Sequence, residues 1–135
     1  MAAAVIDFPI QQGETWSRVI TWQDPDGTPI DLSTHTGRMQ VRLGYDTPVV
    51  LELSTSPETG QGSIVLGGTA GTITLSLTAA QTASLALLGA PSGSIKEGDD
   101  LIQGKLALYD LQLDSGGVVT VLCRGQVCLV REVTR

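Results

Sequence analysis

Few residues of this chain have the type and spacing to do chemistry. His35 is the single histidine, set in Ser33-Thr-His-Thr-Gly37 with no second nitrogen ligand and no cysteine nearby. General-base work needs an oriented partner, so His35 reads as a surface loop residue. Asp24-Pro-Asp26-Gly27 has a faint calcium-loop look, but the third acidic position and the closing glutamate are missing, which leaves a plain turn. Asp99-Asp100, with Glu97 close by, has the charge to grip a cation; a solvated acidic loop is the simpler reading. Trp16, Trp22 and Tyr109 are the residues of a sugar-stacking platform, or of a core, and core is the commoner use. There is no Gly-x-Ser-x-Gly, no phosphate-cradling glycine loop and no Cys-x-x-Cys. No catalytic residue, cofactor or metal site is therefore expected.

What remains is contact chemistry. Arg38, Gln40 and Arg42 alternate with Met39, Val41 and Leu43, so one strand face is polar and carries two arginines. A solvated face is the bland reading; a docking face is the sharper one, because arginine is enriched among interface anchors. Lys96, Asp99 and Asp100 join it as candidate protein-contact residues, within a Gly89–Gly104 stretch read as a long loop. Cys123 and Cys128 lie five apart, on opposite sides of any continuous strand, and read as reduced, half-buried thiols.

These residues must be held by strands. Glu14–Gln23 alternates Trp16, Arg18, Ile20 and Trp22 against Ser17, Val19 and Thr21, and Asp-Pro-Asp-Gly then turns the chain. Ile6–Ile10, Pro29–Leu32, Gly37–Leu43, Val49–Leu53, Ser63–Leu66, Thr72–Thr78, Lys105–Leu113 and Val118–Arg131 also have strand composition. Asp114-Ser-Gly-Gly117 is a hairpin turn, and Gly125 marks a bulge. Thr78 reads as the N-cap of one helix over Ala79–Leu88, with Ala83, Leu87 and Leu88 on its packed face. The pattern predicts an all-β chain, a β-sandwich of seven to nine strands with one short helix as a crossover.

One domain over residues 1–135 suits this length. A net charge of −6, with eight basic residues thinly spread, argues against a nucleic-acid partner. No stretch approaches the roughly 18 apolar residues of a membrane-spanning helix, and Met1–Asp7 lacks the basic and apolar regions of a secretory signal. A cytosolic site of synthesis is expected.

In order along the chain, Gln12-Gly-Glu-Thr-Trp16, Asp26-Gly27 leading to Pro29-Ile-Asp-Leu32, and Arg38-Met-Gln-Val-Arg42 form a recognisable series. Gly71-Thr-Ile-Thr-Leu75, Tyr109-Asp-Leu111 and Val133-Thr-Arg135 complete it. The series resembles the small immunoglobulin-like accessory proteins of tailed bacteriophage particles, a group similar to the N-terminal domain of phage baseplate upper proteins. The resemblance implies an immunoglobulin-like antiparallel sandwich and a non-catalytic structural role in the virion. It implies many copies, assembled in the bacterial host cytoplasm, docked on capsid, tail or baseplate subunits. The Gly89–Gly104 stretch and the lack of a C-terminal stalk depart from the family pattern, and point to a small add-on subunit rather than a receptor-binding fibre. The rival from another class is a carbohydrate-binding module using exposed aromatics.

Overall fold

The computed structural model describes residues 4–85 and 89–131. It contains ten strands: β1 (Ala4–Val5), β2 (Phe8–Gln11), β3 (Trp16–Thr21), β4 (Thr36–Arg42), β5 (Val49–Ser54), β6 (Gly62–Leu66), β7 (Thr72–Leu77), β8 (Ser92–Glu97), β9 (Asp100–Ser115) and β10 (Val118–Val130). A single 3-10 turn covers Gly68–Ala70, and one helix, α1, covers Ala79–Ser84. The fold is all-β, as the alternation predicts.

All ten strands belong to one sheet, ordered β1-β10-β9-β4-β5-β6-β7-β3, with β2 also on β10 and β8 on β9. The count exceeds the expected seven to nine, for two reasons. The opening segment breaks into two short strands, and the expected Gly89–Gly104 loop is instead a hairpin, in which β8 pairs antiparallel with the first residues of β9 from Ser92↔Lys105 to Glu97↔Asp100. The sheet is also mixed rather than antiparallel throughout, because β1 and β2 run parallel to β10 and β5 runs parallel to β6.

Alternation builds the inner face. Met39 and Val41 of β4, Leu51 and Leu53 of β5, Ile73, Leu75 and Leu77 of β7, and Leu111 and Leu113 of β9 are all buried in one cluster. The sheet curls so that its two ends meet. Phe8, from β2 at one end, lies 5.6 Å from the Trp16 ring of β3 at the other end, edge to face, and 5.2 Å from Tyr109 of β9. Each such ring pair adds about 0.5–1.5 kcal/mol beyond its buried area. The Trp16 indole N–H also donates to the Pro9 carbonyl at 3.0 Å.

α1 closes one end through polar contacts. Thr78 and Gln81 form a reciprocal capping box, satisfying two backbone amides. Thr82 is fully buried; its hydroxyl donates to the Glu14 carbonyl at 2.8 Å and accepts from the Gly13 amide at 3.0 Å. The packed residues are thus Thr82 and Leu85, whereas Ala83 is exposed. The shift follows from these tertiary bonds, which select the helix face. Leu87 and Leu88 lie outside the described residues.

Candidate functional site

The outer face of β4 is where the chain keeps its polar side chains together. Arg38 stands opposite Ser54 on β5 and Gln112 on β9, and Gln40 opposite Glu52 and Asp110. Gln40 Nε2 donates to Glu52 Oε1 at 2.8 Å, and Arg42 donates to Gln40 Oε1 at 3.2 Å and to the Thr47 carbonyl. Gln61 Nε2 donates to the second Glu52 oxygen at 3.0 Å. Gln40 and Arg42 are therefore half-buried and held in a network spanning β4, β5 and the neighbouring loops. Arg38 is exposed and has no carboxylate within ion-pair distance among the described residues. It is the member of the trio that is available to a partner.

Lys96, Asp99 and Asp100 sit at the tip of the β8–β9 hairpin and are exposed. Eight residue steps along β9, up to ~27 Å of strand, separate Asp100 from Leu108, which faces Arg42. The six candidate residues thus form two surfaces rather than one. The hairpin tip leans toward β3, where Glu97 pairs with Arg18, the one ion pair among the described residues. With Glu97 committed to Arg18, Asp99-Asp100 loses the third carboxylate a cation would want.

The other chemical candidates are used up in structure. Asp24 Oδ1 accepts from the Asp26 and Thr28 amides, and Asp26 Oδ1 accepts from Thr28. The hydrogen-bonded Asp24 side chain, followed by the Thr28 hydroxyl and amide, holds the Asp26 carboxyl below the usual carboxylate range. Among the described residues no group of three or more His, Cys, Asp or Glu is placed to hold a metal ion. The His35 ring lies 5.9 Å from Trp22, edge to face, and its Nδ1 finds no hydrogen-bond partner there.

Trp16 is 7% exposed and Tyr109 4%, so neither offers a face to a sugar; Trp22 is half-buried. The Tyr109 hydroxyl donates to the Ile6 carbonyl and lies 3.7 Å from Cys123 Sγ. Burial, then the neighbouring Cys123, pushes the Tyr109 hydroxyl pKa far upward. Cys123 and Cys128 are free thiols on opposite faces of β10, as expected, but both are fully buried. Burial pushes both upward. The bulge in β10 falls between Val121 and Cys123, not at Gly125. Gly125 has a different job: a Cβ there would lie 2.2 Å from the Ile6 carbonyl oxygen, so only glycine admits the β1–β2 crossing.

Two features have no counterpart among the sequence-derived candidates. One is the Arg18–Glu97 bridge, which links residues 79 apart. The other is a strip of exposed valines at the β10 edge: Val118 at 70%, Val119 at 55% and Val121 at 38%. Its signal was the uncharged β-branched run Val118-Val-Thr-Val121.

The chain was compared with protein-family models and with curated proteins, and nothing matches in either comparison. No described helix is long and apolar enough to cross a membrane.

Proposed function

We propose that this chain is a non-catalytic structural protein of a tailed-phage virion, a small subunit that docks on a larger lattice of capsid, tail or baseplate proteins. We further propose that the curled sheet is an immunoglobulin-like sandwich. Strand order supports this. β5 and β6 share only two registered pairs, Leu53↔Gly62 and Ser54↔Ser63, so the sheet folds there into β10-β9-β4-β5 and β6-β7-β3. Taken in chain order, β3, β4, β5, β6, β7, β9 and β10 then correspond to strands B, C, C′, D, E, F and G of the immunoglobulin arrangement.

The observation that carries the docking role is the outer face of β4 and its neighbours. It presents Arg38, Gln112 and Arg124 beside the exposed Val119 and Val121, an apolar strip with an arginine-bearing polar rim. Many copies on a symmetric particle would make weak single contacts sufficient. The carbohydrate-binding alternative needs exposed aromatics, and among the described residues only Tyr45, at 89%, is prominently exposed. Size-exclusion chromatography of the protein mixed with purified capsids and with purified tails tests the proposal. Co-elution with one of them is expected, and is weakened by Arg38→Glu. Co-elution with neither would overturn the proposal.

A further inference from the structure

The β8–β9 hairpin has few ties to the rest of the fold. From Ser92 to Gln103 only Ile95 is buried, and Lys96 to Leu101 are all exposed. At the hairpin's base Gly93 is registered with Gly104, so two glycines meet where a cross-strand side-chain pair would otherwise stiffen the ribbon. There the ribbon crosses β10 closely: a Cβ on Gly104 would lie 2.3 Å from the Leu129 carbonyl oxygen and 3.0 Å from Cys128 Sγ. Cys128 is fully covered at this crossing, with its Sγ 3.8 Å from the Ile102 carbonyl. The hairpin then reaches β3, where Glu97 and Ile102 border the same recess as Pro9, Trp16 and Arg18. Among the described residues, the Arg18–Glu97 bridge is the one side-chain bond that ties the tip to the body of the sheet.

We propose that this hairpin is a strap, which swings outward at the Gly93–Gly104 pair while the other strands stay paired, with the Arg18–Glu97 bridge as its clasp. Hinge, anchor and clasp each favour that motion. Glycine gains more backbone freedom on release than any other residue, so the base is where bending is easiest. The arm's apolar anchor is a single side chain, Ile95, and segments with few buried contacts open ahead of the whole fold. The two side chains of the clasp are 37% and 43% exposed, so water and salt compete with the bond.

Opening has two consequences. It uncovers Cys128 together with the recess at Pro9 and Trp16. It also frees an arm of about 14 Å from Gly93 to Glu97, which carries Lys96, Asp99 and Asp100 at its end. The charged tip is thus a movable surface, unlike the Arg38 face, which is built on the central strands β4 and β9.

Cys128 makes the motion measurable, because its thiol meets a maleimide only when the strap is away. The folded chain is labelled under native conditions, and modification at Cys128 is followed by peptide mass spectrometry. Glu97→Gln is expected to raise the Cys128 rate about two- to fivefold. Arg18→Glu should raise it at least as much, and Arg18→Glu with Glu97→Arg should return it toward wild type. Ile95→Ala, which removes the anchor, should raise it at least about tenfold. Thr82→Val is the control: it breaks bonds to Gly13 and Glu14 that are intact whether the strap is open or closed, so it promotes global unfolding and leaves the Cys128 rate unchanged. Low urea should likewise barely alter that rate, since a local opening exposes little surface. The proposal is overturned if Thr82→Val or low urea accelerates Cys128 in step with global unfolding, because the thiol would then need the whole fold to open. It is equally overturned if Glu97→Gln and Arg18→Glu both leave the rate at the wild-type value.

Discussion

Replacing Gly125 by alanine tests how the N-terminal strands are seated on β10. The added Cβ falls 2.2 Å from the Ile6 carbonyl oxygen, 2.9 Å from its carbon and 2.7 Å from Asp7 Oδ1. Two of these atoms are backbone, so no rotamer change relieves the clash and the Ile6–Asp7 segment must move by about an ångström. That movement strains three hydrogen bonds: Ile6 N–H to the Arg124 carbonyl at 2.9 Å, Gln126 N–H to Asp7 Oδ1 at 2.9 Å, and the Tyr109 hydroxyl to the Ile6 carbonyl. Overpacking costs about 1–3 kcal/mol and each weakened bond up to about 1 kcal/mol, against a gain of about 0.5–1 kcal/mol from replacing glycine in a strand. The net loss is about 2–4 kcal/mol, a sizeable share of a total of roughly 5–15 kcal/mol. Urea unfolding followed by tryptophan emission should show the midpoint falling by about 1–2 M. Amides of Ile6 and Gln126 should also exchange faster under native conditions. An alanine variant as stable as wild type would refute the crossing of the Ile6–Asp7 backbone over Gly125.

Two further outcomes follow from buried polar groups. Thr82→Val keeps the shape but removes the hydroxyl from the Glu14 carbonyl and the Gly13 amide, so it should cost about 2–4 kcal/mol in urea unfolding, while Thr82→Ser costs much less; equal losses for valine and serine would count against the hydroxyl as the cause. Cys123 and Cys128 are held neutral by burial, with folded pKa values above the ordinary 9.0. Stability from this source is complete below pH 9 and is lost as pH rises beyond it, because the unfolded thiols release protons that the folded ones keep. Tyr109 adds to the same trend above its ordinary value of 10.0. The urea midpoint should therefore fall between about pH 8 and pH 10.5, and fall less in a Cys123→Ala, Cys128→Ala variant; a midpoint that rises would reverse the assignment.

The elements that alternate cleanly were legible in the sequence, and the reason is visible in their surroundings. Thr72–Leu77 and Thr36–Arg42 each lie between two neighbouring strands with one face inward, so period two is enforced residue by residue. The Asp24–Gly27 turn and the Thr78 cap were legible because their hydrogen bonds close within four residues. The β8–β9 hairpin was not. Ser92-Gly-Ser-Ile-Lys-Glu97 has one buried apolar residue, Ile95, and it pairs with the first residues of β9, Asp100–Lys105, which carry no clean alternation of their own. Gly93, Gly98 and Gly104 looked like loop punctuation, yet Gly93 and Gly104 serve close packing: a Cβ on the first would meet Leu106 and on the second the Leu129 carbonyl.

The same distinction between local and long-range causes bears on the interaction surfaces. The outward direction of Arg38, Gln40 and Arg42 is a local property and was readable. That Gln40 and Arg42 are occupied by Glu52 and Thr47, leaving Arg38 exposed, depends on which strand lies beside β4.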